Sequence, residues 1–215
     1  MRVGQPVGVF FGYQENGLNE KGEIVFKDLN NDGIINTNDK TIIGNPNPNA
    51  IFGFSSSASF KNFELNLFVQ GVQGVDLFNF NVASFANSFN FGENQIKDLY
   101  ANRWTPQSPN PNAKYPKISV NTKFRESDRY VENGSFVRVK NIQLAYNLPT
   151  ARWGLKWMRK AQVYVSGQNL LTLTKYSWYD PEVSTLGGGN SISPGVDQFG
   201  YPVAKTITFG ARLGF

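Results

Sequence analysis

The last eleven residues, Lys205 to Phe215, alternate between two chemistries and finish on an aromatic. Counting back from Phe215, Leu213, Ala211, Phe209 and Ile207 are apolar, whereas Gly214, Arg212, Gly210, Thr208 and Thr206 are small or polar. Successive side chains of a strand point to opposite faces, so one face of this segment suits lipid and the other an aqueous lumen. An amphipathic strand on a soluble sheet alternates in the same way. The aromatic at the very end is what favours the closing strand of an outer-membrane barrel.

Composition agrees with that expectation without requiring it. The chain has 18 Phe, 9 Tyr and 4 Trp among 215 residues, with only 17% charged, yet its mean hydropathy is −0.36. No run approaches the roughly 18 apolar residues of a membrane helix. Transmembrane strands escape such scans because only alternate residues meet lipid. With no Cys and no His, the chain offers no thiolate nucleophile, Ser-His-Asp triad, His-based zinc site or disulfide framework. The net charge of +5 is dispersed rather than gathered into a stripe, which argues against nucleic acid as a partner. The first residues, Met1 to Pro6, contain no apolar export signal.

Five segments carry strand patterns: Ala50 to Phe60, Asn62 to Gln70, Ser135 to Leu148, Ala161 to Leu170 and Lys205 to Phe215. In the first, Phe52, Phe54, Ala58 and Phe60 share a face; in the second Phe63, Leu65, Leu67 and Val69 do, with Glu64, Asn66 and Gln70 opposite. The third places Ile142, Leu144, Tyr146 and Leu148 against Asn141, Gln143 and Asn147. The links at Lys61-Asn62 and 149–160 are short and those at 71–134 and 171–204 long. Outer-membrane barrels alternate in this way, with short periplasmic turns and long outer loops. Pro-Asn-Pro-Asn at 46–49, Ser108 to Asn112 and Gly187 to Gly189 are turn signals, and Ile96 to Trp104 permits a short helix. Five strands cannot close a barrel, so the remaining strands are expected before Met1.

Between Asp28 and Asp39 lies an oxygen-rich loop with the spacing of a calcium site. Asp28, Asn30 and Asp32 would supply side chains, Ile34 its carbonyl, Asn36 a direct or water-mediated oxygen and Asp39 a carboxylate, with Gly33 at the sharp turn and Ile35 as an apolar anchor. Asp replaces the usual Glu at the last position and no amphipathic helices flank the loop, so it is closer to a dockerin-type loop than to an EF-hand, and calcium would be structural. A metal-free loop of Asx turns is the competing reading. Trp104, Trp178 and Tyr179 suit sugar stacking but equally loop packing, and Asp180 and Glu182 around Pro181 suit a turn better than an acid/base pair. Asn133-Gly134-Ser135 matches a glycosylation sequon, a weak signal.

Taken in order along nearly the whole chain, several segments together resemble the C-terminal part of the SusC/RagA-type TonB-linked outer-membrane transporters. They are Phe11-Gly12-Tyr13, Asp28 to Asp39 running into Thr41-Ile42-Ile43-Gly44-Asn45-Pro46, Phe60-Lys61-Asn62-Phe63, Arg103-Trp104-Thr105-Pro106, Asn133 to Ile142, Gly167-Gln168-Asn169-Leu170 and Tyr179 to Glu182. The resemblance implies an all-β fold: an antiparallel transmembrane barrel of about 22 strands, of which this chain supplies about five with their long extracellular loops. It places residues 1–49 in an extracellular loop bearing the calcium-loop motif and 50–215 in C-terminal strands and outer loops, with the plug domain and TonB box absent. It implies a non-enzymatic importer of oligosaccharides or peptides in the outer membrane of a Gram-negative bacterium. A SusD-like surface lipoprotein, the TonB system and membrane lipid would be its partners. Phe209, Leu213 and Phe215 would then form the barrel-assembly signal. The alternative is a secreted calcium-binding β-sandwich, an adhesion or dockerin-like module.

Overall fold

The computed structural model describes residues 3–85, 94–119, 124–154, 157–183 and 193–215; the glycine run Gly187 to Gly189 lies outside them. In chain order the elements are β1 (Phe10–Gly12), β2 (Glu15–Leu18), β3 (Ile24–Phe26), β4 (Thr41–Gly44), β5 (Ala50–Phe60), β6 (Phe63–Gln73), β7 (Asp76–Asn79), α1 (Phe80–Phe85), α2 (Lys97–Asn102), β8 (Val131–Asn133), β9 (Phe136–Asn147), β10 (Lys160–Thr174), β11 (Val196–Asp197) and β12 (Thr206–Gly214). They fall into two interleaved units: residues 1–48, 75–134 and 176–200 form one, and 49–74, 135–175 and 201–215 the other. The two units thus alternate along the chain. Each long link between wall strands leaves the sheet and joins the segments that begin the chain.

The wall unit is one antiparallel sheet in the order β12-β10-β9-β6-β5, a meander in which each long strand pairs with the next long one in sequence. β5 and β6 are joined at Lys61-Asn62, with Lys61 at φ 54. Positive φ at the first central residue matches the strand twist and brings the two strands back in register. Phe60 faces Phe63 and Ala50 faces Gln73, without a break. Farther along, β9 and β10 share an irregularity between Gln168 and Leu171, where Asn169 takes φ 54. β10 bulges by one residue there and continues to Thr174 beside β9 alone, because its pairing with β12 ends at Gln168. β5 and β6, at 11 residues each, have the length a tilted strand needs to cross the roughly 30 Å of hydrocarbon.

The loop unit is built from short pieces: pairs β1-β4 and β2-β3, a three-stranded sheet β11-β7-β8, and helices α1 and α2. Its main core gathers Phe10, Phe78, Ala83 and Tyr130, with Ile43, Phe80, Phe124, Val131 and Val196 packed around them. A smaller cluster joins Leu99 of α2 to Tyr115. Strands of three or four residues cannot hold such a unit by pairing alone, and buried polar groups supplement them. The hydroxyl of Tyr176 donates to Asp197 Oδ2 at 2.6 Å, the Gly200 N–H donates to Asp197 Oδ1 at 3.1 Å, and the Phe199 N–H donates to Asn81 Oδ1 at 2.7 Å. Burial, then the neighbouring Asp197 carboxylate, pushes the Tyr176 phenol above its usual range.

Candidate functional site

Register makes the wall two-faced. Starting from the pair Phe54 and Val69, one face continues through Val139 and Ile142 to Leu144 and Tyr146 on β9, through Val163, Val165 and Leu171 on β10, and onto Ile207, Phe209, Ala211 and Leu213 of β12. The opposite face carries Ser57, Asn66, Gln143, Ser166, Thr206 and Thr208, position for position. A one-residue slip in any strand would mix the two chemistries. The apolar side is uncovered within its own unit: Phe54, Ile207 and Phe209 are 59%, 62% and 81% exposed. A soluble domain rarely leaves so broad an apolar area bare. A sandwich would need a second sheet over this face, and the wall unit has a single sheet.

Across the polar face runs a ladder that the sequence did not announce. Glu64 on β6 accepts from Asn147 Nδ2 at 2.7 Å and from Gln162 Nε2 at 3.1 Å. Gln162 Nε2 also donates to Asn147 Oδ1 at 3.0 Å, and Arg212 completes the row over the Tyr164 ring, 4.8 Å from its centroid. Tyr164 lies across Gly210, where a Cβ would come within 2.4 Å of the ring. These residues bind four strands together on the polar face. Their parity was legible; their cross-strand alignment was not, because register depends on turn and bulge geometry.

The three residues of the candidate assembly signal are all on the apolar side or at its end. Phe209 pairs with Val165 and Leu213 with Ala161, and Phe215, just past the last pair, stacks on Trp157 with ring centroids 5.6 Å apart and planes at 14°.

In the acidic loop, Asp28 Oδ2 accepts from the Gly33 N–H at 2.7 Å, Asn30 Oδ1 from Asp32 N–H at 3.1 Å and Asp32 Oδ1 from Ile34 N–H at 2.8 Å. Gly33 sits at φ 80, as the sharp turn demands. Each of these oxygens serves one N–H and keeps a second lone pair. Ile34 is exposed, its carbonyl accepting from Asn36 Nδ2 at 3.1 Å, and Ile35 is half-buried. Asn36 and Asp39 act differently, forming a capping box around the single turn Thr37–Asp39. The two oxygens of Asp39 accept from Leu29 and Asn36 N–H at 2.9 and 2.8 Å. The Asn36 N–H first, and the Leu29 N–H after it, hold the Asp39 carboxyl below its usual range against its burial, and the Asp28 carboxyl group lies within reach of it. Among the described residues no three acidic or thiol/imidazole side chains converge as a metal cluster. The oxygens at the first, third and fifth loop positions thus accept from the loop's own N–H groups, as both oxygens of the twelfth do.

The weaker candidates resolve into packing. Trp104 is 7% exposed and covers Gly22, whose Cβ would meet the indole at 2.4 Å, so it is not a free stacking surface. Asp180 is buried and accepts from the Glu182 N–H at 2.9 Å, a turn contact. Trp178 stacks on Phe85 at 6.2 Å, and Tyr179 stands beside it, largely exposed. The loop unit also holds an open apolar recess of about 410 Å³ among Phe10, Phe11, Phe78, Phe80 and Phe124.

No family model matches the chain. Individual proteins do. TonB-dependent receptor P3 of Formosa agariphila is 34% identical over the whole chain, which covers 23% of that receptor. TonB-dependent receptor SusC of Bacteroides thetaiotaomicron is 28% identical, again over the whole chain and 20% of its own length. A solved structure of the RagAB peptide transporter superposes with a TM-score of 0.79 at 27% identity, over 96% of this chain and 22% of that one. The chain belongs to the SusC/RagA family of TonB-dependent receptors. It spans less than a quarter of the length of the family members it matches. Family membership accounts for the two faces: the sheet is a segment of barrel wall, and the chain is no enzyme.

Proposed function

We propose that this chain contributes wall strands and outer loops to a TonB-dependent importer of oligosaccharides or peptides in the outer membrane of a Gram-negative bacterium. The observation that carries the reading is the mainly apolar face shared by five registered strands, backed by a polar face that would line the lumen. The short links at 61–62 and 149–160 belong to the periplasmic end and the long links to the outer mouth, where a SusD-like lipoprotein would act as a lid. The RagAB neighbour, by name a peptide transporter, supports import. The test is uptake by cells carrying the full-length receptor, with labelled oligosaccharide and labelled peptide offered separately. Import of either that stops when TonB is removed supports the reading; import of neither, with folded receptor present, contradicts it.

Calcium in the acidic loop belongs to the same proposal, as a structural ion held by Asp28, Asn30, Asp32, the Ile34 carbonyl and Asn36, with Asp39 bracing the turn behind them. The spacing and the free lone pairs support it. Asp32→Ala should abolish a calcium signal in calorimetry of the folded receptor, and a wild type that shows none at millimolar calcium would leave an Asx-turn loop without metal.

A further inference from the structure

The link between β9 and β10 is unlike the rest of the chain in charge. Residues 149–160 contain Arg152, Lys156, Arg159 and Lys160 and no Asp or Glu, a charge of +4 in twelve residues against +5 for all 215. Arg152 and Arg159 are exposed, as is Lys61 at the neighbouring hairpin. The ion pairs among the described residues are Lys40–Glu126, Lys114–Asp98, Lys117–Glu23 and Arg129–Glu15, none of them at this end of the wall. Two tryptophans stand among these cations, Trp153 and Trp157, 57% and 61% exposed. Trp157 is fixed by its stack on Phe215. Phe60 lies under the Lys61 ammonium, 5.3 Å from its ring centroid.

We propose that Lys61, Arg152 and Arg159, with Trp153 and Trp157, form a binding site for the headgroups of anionic phospholipids in the membrane leaflet at the short-link end of the wall. Continuity of the surface selects the occupant. The apolar face ends here, at Phe60, Phe63, Tyr146 and Leu213, so acyl chains lying along that face bring their headgroups to the level of these cations. Tryptophan prefers that level because its ring is apolar and its N–H is wet. An uncompensated cation near an anionic membrane surface gains about fivefold in binding, and three gain roughly a hundredfold. A soluble acidic protein would also answer the charge, but it would leave two exposed indoles and the adjoining apolar strand ends without a partner.

The inference rests on the wall reading, and its test separates the two. The full-length receptor would be placed in nanodiscs containing phosphatidylglycerol and phosphatidylethanolamine, and the lipid retained around it compared with Lys61→Gln/Arg152→Gln/Arg159→Gln. Heat-modifiable mobility would establish that the barrel is folded in both. Retention of phosphatidylglycerol over phosphatidylethanolamine should be clear in the wild type and fall by about fivefold per cation removed. The single variant Arg152→Gln, expected to lose about fivefold, serves if the triple does not fold. Equal retention by wild type and a folded variant would overturn the site while leaving the barrel intact. Tripolyphosphate bound as tightly in purely neutral nanodiscs would also overturn it, by showing a site for soluble anions.

Discussion

Phe209 and Thr208 are adjacent on β12 and point to opposite faces, so replacing each by arginine asks what lies beyond each face. Phe209 lies six residues from Phe215. At about 3.4 Å per residue and a tilt near 45°, that is a depth of about 14 Å, close to the middle of the hydrocarbon layer. Arginine facing lipid at the midplane costs about 2–4 kcal/mol, and facing the lumen little. In water the two substitutions would be alike, because both positions are exposed on the sheet itself. Phe209→Ala serves as the control for loss of the ring. Unfolding of the bilayer-reconstituted receptor in guanidinium, followed by tryptophan fluorescence, gives the difference in stability. Phe209→Arg should be less stable than Phe209→Ala by about 2–4 kcal/mol and Thr208→Arg within about 1 kcal/mol of wild type. Equal effects of the two arginines would refute the assignment of faces.

Three further outcomes are expected. Tyr176→Phe strips the buried Asp197 of its 2.6 Å donor, and an unsatisfied buried acceptor costs about 1–3 kcal/mol, so amide exchange across 196–200 should quicken by about 5- to 150-fold. Asp98 is held below its usual value by hydrogen bonds from Lys114, then Tyr115 and Asn102. Its contribution is therefore complete above the unfolded value and lost as pH falls through the lower, folded one. Protection of α2 should weaken as pH drops from about 5 to about 2, and Lys114→Gln should diminish that dependence. Deleting Phe215 should reduce heat-modifiable folded barrel in outer-membrane fractions far more than deleting the exposed loop residue Pro111, and equal yields would make Phe215 an ordinary interfacial aromatic.

The wall was legible because its signal is local: alternation from Ala50 to Phe60 or from Lys205 to Phe215 needs no knowledge of the partner strand. Observed strand ends differ from the expected ones chiefly where geometry intervenes, as at the Asn169 irregularity that lets β10 continue to Thr174. The loop unit was not legible. Its strands are too short for periodicity to register, and its order comes from contacts between distant residues, such as Asn81 with Phe199 and Glu15 with Arg129. In the acidic loop Asp28, Asn30, Asp32 and Gly33 make the Asx turns of the competing, metal-free reading, and the sequence does not reveal that Asn36 and Asp39 cap a helical turn. A capping box and the end of a calcium loop place the same residue types at the same spacing.

The most direct measurement uses the absence of cysteine in this chain, which lets a single introduced thiol be labelled uniquely within it. Spin labels placed one at a time along β9 and β12, at Ile142, Gln143, Leu144, Thr208, Phe209 and Arg212 of the bilayer-reconstituted receptor, would be tested for collision with oxygen and with a water-soluble nickel chelate. Ile142, Leu144 and Phe209 should favour oxygen, and Gln143, Thr208 and Arg212 the nickel chelate, alternating on both strands. Collision rates that fail to alternate, or that favour the nickel chelate on both faces, would contradict the account of this sheet as a barrel wall.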